Sequence, residues 1–289
     1  PMPSSFRFSL TLLGLLVLAA ASGGAAAPKP LKVLLVTGGC CHDYATQKDL
    51  LKAGLEALAH VAIDHLHTPD RSTKPPLAHL TNPNYADGYD LVIHDECAAG
   101  IDDPALVRNV LHPHVQGTPG VALHCAMHSF RVTKDFARPQ APGSAGGLWF
   151  DFLGLQSSRH GPQEPIRITF TDTKHPITRG LQGWTTMKEE LYNNVQPPSV
   201  YPAHRALATG WQKTTNKKSG AIEESEAVVV WTNEYGPKKA RVFCTTLGHN
   251  NDTVADARYL DLLARGLLWA AGKLDHQGRP LAGYGPGGR

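Results

Sequence analysis

Short apolar runs that stop abruptly at glycine or polar residues are the feature that most constrains how this chain can fold. The first of them, residues 31–37 (LKVLLVT), is followed directly by Gly38 and Gly39. A strand covered by helices on both faces is apolar throughout, whereas a strand with one face in water alternates apolar and polar residues. We therefore expect residues 31–37 to form the first strand of a parallel sheet.

The same unit recurs along the first half of the chain. Residues 46–60 carry leucines at helical spacing, and residues 62–65 and 90–94 (DLVIH) have the character of strands. Residues 103–111 are predicted to form a helix with Pro104 in its first turn, and residues 120–123 (GVAL) a further strand. This order of strands and helices predicts an α/β protein with a doubly wound, mainly parallel sheet.

The second half of the chain is predicted to extend the same sheet. Residues 166–170 (IRITF), 227–231 (AVVVW) and 241–245 (RVFCT) are expected to be strands, and residues 255–271 a helix that packs on them. The polar stretch 213–226 is typical of a hairpin tip or a surface loop. No linker divides the chain, so we expect one domain over residues 31–273. The Gly- and Pro-rich residues 275–289 are predicted to be a flexible tail.

The N-terminus has the order of a secretory signal peptide. Arg7 precedes an apolar stretch at 8–21 and small residues at 22–27. We assign residues 1–26 to this signal, which predicts a periplasmic or secreted protein with no stable membrane insertion after cleavage. The apolar stretch of about 14 residues is shorter than the roughly 20 that span a bilayer, and its retention as an anchor is the alternative.

The composition favours a globular protein that does not bind nucleic acid. Hydrophobic residues make up 42% of the chain and charged residues 18%, which argues against disorder. The formal net charge is +3 and the basic residues are scattered, so we expect no nucleic-acid binding. Gly38 and Gly39 lack the other residues of a phosphate-binding loop, so we also expect no nucleotide.

Polar residues follow four of the predicted strands. In an open α/β sheet the carboxyl ends of the strands lie along one edge, where ligand sites form. The polar segments are 40–43 (CCHD), 94–97 (HDEC), 124–129 (HCAMHS) and 248–252 (GHNND). We expect them to line one pocket, although helix capping is the alternative role for each residue taken alone.

The histidines of these segments predict a site for a divalent metal, zinc or a similar ion. Imidazole and carboxylate groups are suitable ligands, and the ion would polarise a carbonyl or activate a water. The proposed ligands are His42, His124 and His249, and the further donors are His128, His160 and either Glu190 or Asp95.

The five cysteines predict no disulfide framework. Their odd number leaves at least one thiol free or paired between chains. Adjacent Cys40 and Cys41 rarely bridge each other, because disulfides join more separated Cα atoms. Cys125 follows a strand as a nucleophile would, but it lacks the glycines of a nucleophile elbow, and a structural role is the alternative.

Trp149 and Tyr192 are the candidate platforms for a sugar ring. An aromatic face suits the C–H face of a pyranose, whereas core packing is the alternative role of such side chains.

Several motifs, in the same order, resemble those of ThuA-like (trehalose utilisation) proteins. The motifs are 33–39, His124 with 127–130 (MHSF), 149–154 with His160 after it, 175–177 (HPI), 189–192 (EELY), and 241–243 (RVF) running to 246–249 (TLGH). The resemblance covers roughly residues 31–273. It implies a flavodoxin-related fold of the class I glutamine amidotransferase-like kind. Many relatives carry Asp at the position of His128.

The resemblance also implies a role in carbohydrate catabolism, with trehalose or 3-keto-sugar derivatives as substrates. The first hypothesis is a secreted hydrolase or lyase, and the second is a non-catalytic carbohydrate-binding or accessory module. A third is amidotransferase-type hydrolysis through Cys125. For the first, the catalytic residues are His124, Glu190 and His249, and the substrate-binding residues are Trp149, His160 and Tyr192.

Overall fold

Helices lie on both faces of one nine-stranded sheet. The computed structural model describes residues 28–289, so the predicted signal peptide lies outside the described residues. None of the helices in this part of the chain is both long and apolar enough to cross a membrane. The strands are β1 (Leu31–Gly39), β2 (Val61–His67), β3 (Leu91–Cys97), β4 (Gly120–Leu123), β5 (His160–Phe170), β6 (Thr185–Tyr192), β7 (Arg205–Thr215), β8 (Ile222–Tyr235) and β9 (Ala240–Thr245). The helices are α1 (Tyr44–Leu58), α2 (Pro104–Val115), α3 (Leu148–Leu153), α4 (Asn251–Val254) and α5 (Ala257–Ala270).

The parallel part of the sheet consists of β1 to β4 from the first half of the chain, as predicted, together with β9 from the second half. The strand order is β2-β1-β3-β4-β9-β8-β7-β5-β6. Neighbouring strands from β2 to β9 in that order are parallel. Neighbouring strands from β9 to β6 are antiparallel. The α/β class is therefore confirmed, and β5 to β8 from the second half of the chain add an antiparallel extension next to β9 in the same sheet.

The two faces of the sheet bury two hydrophobic cores. Along β1, Val33 and Leu35 belong to the core that α1 and α5 cover, whereas Leu34 and Val36 belong to the core that α2 and α3 cover. Successive side chains of a strand point to opposite faces. A strand buried on both faces must therefore be apolar at consecutive positions, which explains the unbroken apolar run in the sequence.

The predicted flexible tail, residues 275–289, lies against the start of the domain. The His60 N–H donates to the Tyr284 carbonyl at 3.0 Å, and the His60 ring hydrogen-bonds the Gly283 carbonyl at 2.9 Å. Leu274 and Pro280 form an antiparallel bridge at the start of the tail. These contacts do not support the predicted flexibility of residues 275–289.

Candidate functional site

The loops after β1, β4 and β9 meet at the carboxyl edge of the parallel strands. His42 follows β1, His124 begins a 3-10 helix after β4 (His124–His128), and His249 follows β9. The ring centroid of His42 lies 4.6 Å from that of His124 and 4.8 Å from that of His249. One nitrogen of each ring lies within 4.8 Å of the others, close enough for all three to hold one ion. The structure thus brings together the three predicted metal ligands.

Two glycines allow the sharp turns after the strands. Gly39 has φ +97° and Gly248 has φ +119°, both in the left-handed region that other residues rarely adopt. A Cβ atom on Gly39 would collide with the Cys97 carbonyl, and one on Gly248 with the Tyr259 hydroxyl. The glycines therefore determine the direction in which the chain leaves β1 and β9 toward the histidines.

Hydrogen bonds orient the imidazole rings of the site and determine which ring nitrogen keeps its lone pair. His124 Nδ1 lies 2.7 Å from the Thr246 carbonyl oxygen, which only accepts, so Nδ1 carries the hydrogen and Nε2 keeps its lone pair. The His249 backbone N–H donates to the Glu189 carboxylate at 3.0 Å. His124 Nε2 and His249 Nδ1 are 3.3 Å apart. Nδ1 of His42 is buried and has no hydrogen-bond partner among the described residues.

The carboxylate of the site comes from β6, the last strand in the sheet order. Glu190 Oε2 lies 3.3 Å from His249 Nδ1 and 3.7 Å from His124 Nε2. It also lies 3.5 Å from His160 Nδ1, at the start of β5. The antiparallel strands therefore curve over the carboxyl edge of the parallel strands and supply the opposite wall of the site.

Burial keeps the two innermost imidazoles neutral. Burial and then the charge of His249 lower the pKa of His42 to about 4, and burial lowers the pKa of His124 well below its usual range. Burial also opposes the charged forms of His249 and Glu190, but their interaction outweighs it. The pKa of His249 is therefore raised and the pKa of Glu190 lowered. His42 and His124 thus offer lone pairs near neutral pH, and Glu190 is ionised.

Two adjoining spaces surround this group. A cavity of 320 Å³ is lined by His42, His249 and Glu190. A polar cleft of 430 Å³ shares His160 and Tyr192 with that cavity. His160 stands where the two spaces meet, with 42% of its side chain exposed. A ligand could therefore reach the histidines from the cleft.

Trp149 has no face open to a ligand, which contradicts its predicted role as a sugar platform. Its side chain is 1% exposed and packs against Phe130 and Phe152. Its indole N–H donates to the Ala126 carbonyl at 2.7 Å. Core packing, the alternative for this residue, is what the structure shows, because α3 turns the indole under the sheet rather than toward the pocket.

Tyr192 lines the cavity but does not offer a free ring face. The ring is 1% exposed and stacks on His128 with centroids 4.2 Å apart. Its hydroxyl lies 3.4 Å from His124 Nε2. His128 Nε2 lies 2.9 Å from Ser157 Oγ, so His128 belongs to the wall of the pocket rather than to the group of three histidines. Substrate binding by Tyr192 stays a prediction, now assigned to its hydroxyl.

Only Cys97 of the predicted 94–97 cluster reaches the pocket. β3 continues three residues beyond the predicted strand, and its alternation buries His94 and Glu96 in the core. There His94 Nδ1 lies 2.9 Å from Glu96 Oε1, and His94 Nε2 lies 3.0 Å from His114 Nε2. His114 Nδ1 in turn lies 2.7 Å from the Thr118 carbonyl oxygen. Polar residues can continue a buried strand here because both ring nitrogens of His94 and one carboxylate oxygen of Glu96 have hydrogen-bond partners.

Asp95 is excluded as the carboxylate of the site. Its side chain is buried, and burial, followed by the charge of Glu96, raises its pKa well above the usual range. A metal-binding carboxylate must be deprotonated. Asp95 also does not line the cavity that His42, His249 and Glu190 line. Glu190 is therefore the carboxylate that accompanies the three histidines.

The buried network around His114 predicts destabilisation in acid. Burial and then the charge of His94 lower the pKa of His114 to about 3, whereas a histidine in an unfolded chain titrates near ~6.5. Between these values the unfolded chain binds more protons than the folded chain, so the free energy of unfolding decreases as the pH is lowered, by up to about 1.4 kcal/mol per pH unit. His114→Gln should flatten this dependence in urea unfolding from about pH 6 to about pH 4.

The matched control for His114→Gln is Val110→Ala, a buried change in the same helix that removes no titrating group. It should lower the free energy of unfolding by a similar amount at each pH. A pH dependence in the His114→Gln protein as steep as that of the wild type would contradict the assignment of a neutral buried His114.

Cys40 and Cys41 form a disulfide, contrary to the prediction. Their Cα atoms are 3.7 Å apart, closer than the ~4.4–6.8 Å usual for disulfides, which is why the sequence argued against the bond. The backbone turns sharply here. Cys41 has φ +84°, and the two glycines before the cysteine pair, Gly38 and Gly39, also have positive φ. Cys97, Cys125 and Cys244 are free and buried.

Cys125 is held as a hydrogen-bond donor, which argues against a catalytic nucleophile. Its Sγ donates to Cys97 Sγ at 2.6 Å. This hydrogen bond, followed by burial, raises the pKa of Cys125 well above its usual range. Because the thiolate is the reactive form of cysteine, amidotransferase-type hydrolysis through Cys125 has no support from this geometry.

Two groups that shape the site were missed from the sequence. Glu189 anchors the backbone of His249, and the Thr246 carbonyl sets the tautomer of His124. Of these groups, only Glu189 could have been recognised from the sequence, because it is adjacent to Glu190 in a predicted motif and neighbouring side chains of a strand point to opposite faces of the sheet. A backbone carbonyl cannot be recognised in this way, since every residue carries one.

Comparisons with known proteins agree with this architecture. The family model for trehalose utilisation (ThuA) matches residues 32–270. No match is found among the curated proteins. A ThuA-like protein from Parabacteroides merdae has a TM-score of 0.61 at 21% identity, over 85% of this chain and 92% of that chain. A ThuA-like protein from Bacteroides uniformis has a TM-score of 0.56 at 16% identity, over 86% of this chain and 94% of that chain.

These likenesses in structure establish the fold, because both relatives share the α/β architecture over most of their length. The family model extends from the second residue of β1 to the last residue of α5. It therefore includes all three loops that carry the histidines as well as β6 with Glu190. The chain belongs to the ThuA (trehalose utilisation) family.

Proposed function

We propose that this chain is an exported hydrolase or lyase that acts on trehalose-type or 3-keto-glycoside sugars in a metal-assisted pocket. The observation that carries the proposal is the convergence of His42, His124 and His249 with the Glu190 carboxylate, beside a cavity that His42, His249 and Glu190 line. Family membership supports a sugar as the substrate, since the family is described by trehalose utilisation. The signal-like order of the N-terminal residues supports export.

The donor set of the three histidines fits zinc or a similar divalent ion. Catalytic zinc sites combine three protein ligands with one open position, and this group borders a cavity. His124 has its Nδ1–H bonded to a backbone carbonyl, the outer-shell arrangement that fixes a metal-binding imidazole. The orphaned, buried Nδ1 of His42 is a further donor. When bound, such an ion would polarise a carbonyl or activate a water.

Glu190 is the residue that we assign to proton transfer. It is ionised near neutral pH and lies in contact distance of both His249 and His160. A partly buried carboxylate in this setting can take a proton from a substrate hydroxyl, an adjacent C–H or a water, and can return it to a leaving oxygen. His160, half-exposed at the entrance, is placed to orient the sugar.

The polar cleft beside the cavity supports a substrate rich in hydroxyl groups. Its volume of 430 Å³ lies within the range of small-molecule pockets, ~300–1,000 Å³. Hydrogen-bonding side chains dominate its wall, and a hydroxyl-bearing ligand needs such partners to offset the loss of its hydration. The polar residues of that wall include Arg159, Asn193, Asn194, Gln212 and Glu223.

Glu190→Gln should lower turnover on a 3-keto-glycoside by about 10²–10⁴-fold, because the amide is nearly the same size but cannot take up the proton. Product formation is followed by mass spectrometry. The matched control is Glu164→Gln on the neighbouring strand β5, whose side chain is exposed. Equal turnover in the wild type and the Glu190→Gln protein would exclude Glu190 from the chemistry.

Binding and metal content separate the enzyme from the alternative module. Elemental analysis of protein purified without a histidine tag should find one divalent ion per chain. Calorimetry with the same sugar should show binding in the wild type, together with product by mass spectrometry. Binding without product would instead identify a non-catalytic carbohydrate-binding protein, and turnover without stoichiometric metal would overturn the metal-assisted part.

A further inference from the structure

Four cysteine sulfurs form a row beside the pocket, and the proposed sugar chemistry uses none of them. Cys40 and Cys41 are joined by a disulfide, and Cys40 Sγ lies 3.4 Å from Cys97 Sγ. Cys97 Sγ lies 2.6 Å from Cys125 Sγ. Cys41 is exposed, Cys40 is half-buried, and Cys97 and Cys125 are buried. The row therefore leads from solvent to the floor of the cavity.

We propose that these four cysteines form a thiol–disulfide exchange relay, which passes a disulfide between the exposed Cys40–Cys41 pair and the buried Cys97–Cys125 pair. The relay goes beyond the proposed sugar chemistry and does not depend on it. It is distinct from a structural disulfide, because a structural bond keeps the same two partners.

The position of Cys97 suits the first attack. Its sulfur is in van der Waals contact with Cys40 Sγ, within the ~3–3.5 Å range of reacting atoms in a near-attack arrangement. Because the Cys125 thiol donates its hydrogen to Cys97, Cys97 is the sulfur with an available lone pair and thiolate character. The same hydrogen bond lowers the pKa of Cys97 despite its burial.

The exchange takes place in two steps with no net oxidation. In the first, a bond forms between Cys97 Sγ and Cys40 Sγ while the Cys40–Cys41 bond breaks, and Cys41 leaves with the electron pair and takes up the proton that Cys97 has lost. Once Cys97 is in the mixed disulfide, its thiol no longer holds Cys125 in the protonated form. In the second step, Cys125 loses its proton and attacks Cys97 Sγ, and Cys40 leaves as the thiolate and takes up that proton. One disulfide and two thiols are present before and after.

Packing alone does not explain this alignment. A buried cysteine can serve as a small apolar side chain, but that role places no demand on the distance between sulfurs. All four cysteines line the same cavity as His42. When the disulfide lies at Cys97–Cys125, two free thiols directly precede His42 in the chain. The location of the disulfide therefore determines whether Cys40 and Cys41 are two free thiols or one disulfide at the wall of the pocket.

Peptide mapping can locate the disulfide. Trypsin leaves Cys40 and Cys41 in peptide 33–48, Cys97 in 72–108 (Lys74 precedes proline and resists cleavage) and Cys125 in 109–131. Each location of the bond thus has its own mass. The full chain is equilibrated with reduced and oxidised glutathione, quenched in acid and alkylated, and the chains that carry one disulfide are analysed.

In the wild type, the one-disulfide chains should include both the bond within 33–48 and the link between 72–108 and 109–131. Cys125→Ser should remove the second link and accumulate the mixed link between 33–48 and 72–108. Cys41→Ser, at an exposed position, cannot form the first bond and should carry its disulfide on Cys97, either to Cys40 or to Cys125. Cys244→Ser, a buried cysteine that contacts Leu153 instead, should behave as the wild type.

One result would overturn the relay. If the one-disulfide wild type holds its bond only within 33–48 at every glutathione ratio, or holds no bond among these peptides, exchange does not occur. The Cys41→Ser protein keeps the proposal open to contradiction even if Cys125→Ser misfolds. Circular dichroism shows which variants are folded. Sugar turnover and metal content are measured separately, so failure of the relay leaves the proposed function standing, and the reverse also holds.

Discussion

Replacing His124 with alanine is expected to leave a folded chain that has lost its metal and its turnover. His124 is the innermost imidazole of the site, with Nε2 directed toward His249 and Glu190. Loss of an outer-shell partner already lowers metal affinity by about 10–100-fold, so loss of the ligand itself should lower it on the order of 100-fold or more. Turnover on a 3-keto-glycoside should fall in parallel.

Metal content of purified protein and product formation are the two measurements for His124→Ala. His276→Ala is the matched control, because this histidine is exposed in the C-terminal segment. The Thr246 carbonyl loses its partner in the His124 variant, so a loss of stability of about 1–3 kcal/mol is expected and near-ultraviolet circular dichroism must show that the fold persists. Full metal content and full turnover would exclude His124 from the site.

Replacing Trp149 with alanine is expected to cost roughly 3–5 kcal/mol of unfolding free energy, the usual range for a buried aromatic. The indole fills the core beneath α3, and its N–H satisfies the Ala126 carbonyl. Truncation therefore leaves a cavity and an unpaired acceptor together. Urea unfolding measures the loss, and sugar binding by calorimetry in folded protein should be unchanged.

Trp149→Phe and Trp211→Ala are the comparison variants for this prediction, and both should lose less stability than Trp149→Ala. Phenylalanine keeps most of the packing but not the N–H, so the loss should be clearly smaller than for alanine. Trp211 is half-exposed on β7 and lies under the Arg167 guanidinium, so its truncation should also cost much less. A Trp149→Ala protein of normal stability that no longer binds sugar would restore the indole as a sugar platform.

The parallel part of the fold could be predicted because its signals are local. The unbroken apolar character of β1, and the helical spacing of the leucines in α1, each come from a stretch of neighbouring residues buried by known geometry. The meeting of His42, His124 and His249 followed from the same reasoning, since parallel strands all end at one edge. This reasoning required no knowledge of which residues far apart in the sequence contact each other.

The predictions that failed mostly concern residues whose role depends on side chains far away in the sequence. His94 and Glu96 looked like a strand end, but His114 from α2 supplies the hydrogen bond that lets the strand continue through them. Trp149 looked available to a sugar until α3 turned it into the core. The Cys40–Cys41 bond depends on a local turn with positive φ, which pair-distance statistics from the sequence did not suggest.

The sequence by itself determined the class of the fold, the direction of the parallel strands and the edge at which three histidines gather, because apolar periodicity and strand direction are encoded residue by residue. Only the tertiary structure decided between Glu190 and Asp95 as the carboxylate, by bringing Glu190 from β6, last in the sheet, within 3.3 Å of His249, and only it placed Cys97 between Cys40 and Cys125. Curvature and packing of a whole sheet result from many weak contacts between distant segments, and no single stretch of sequence records their sum.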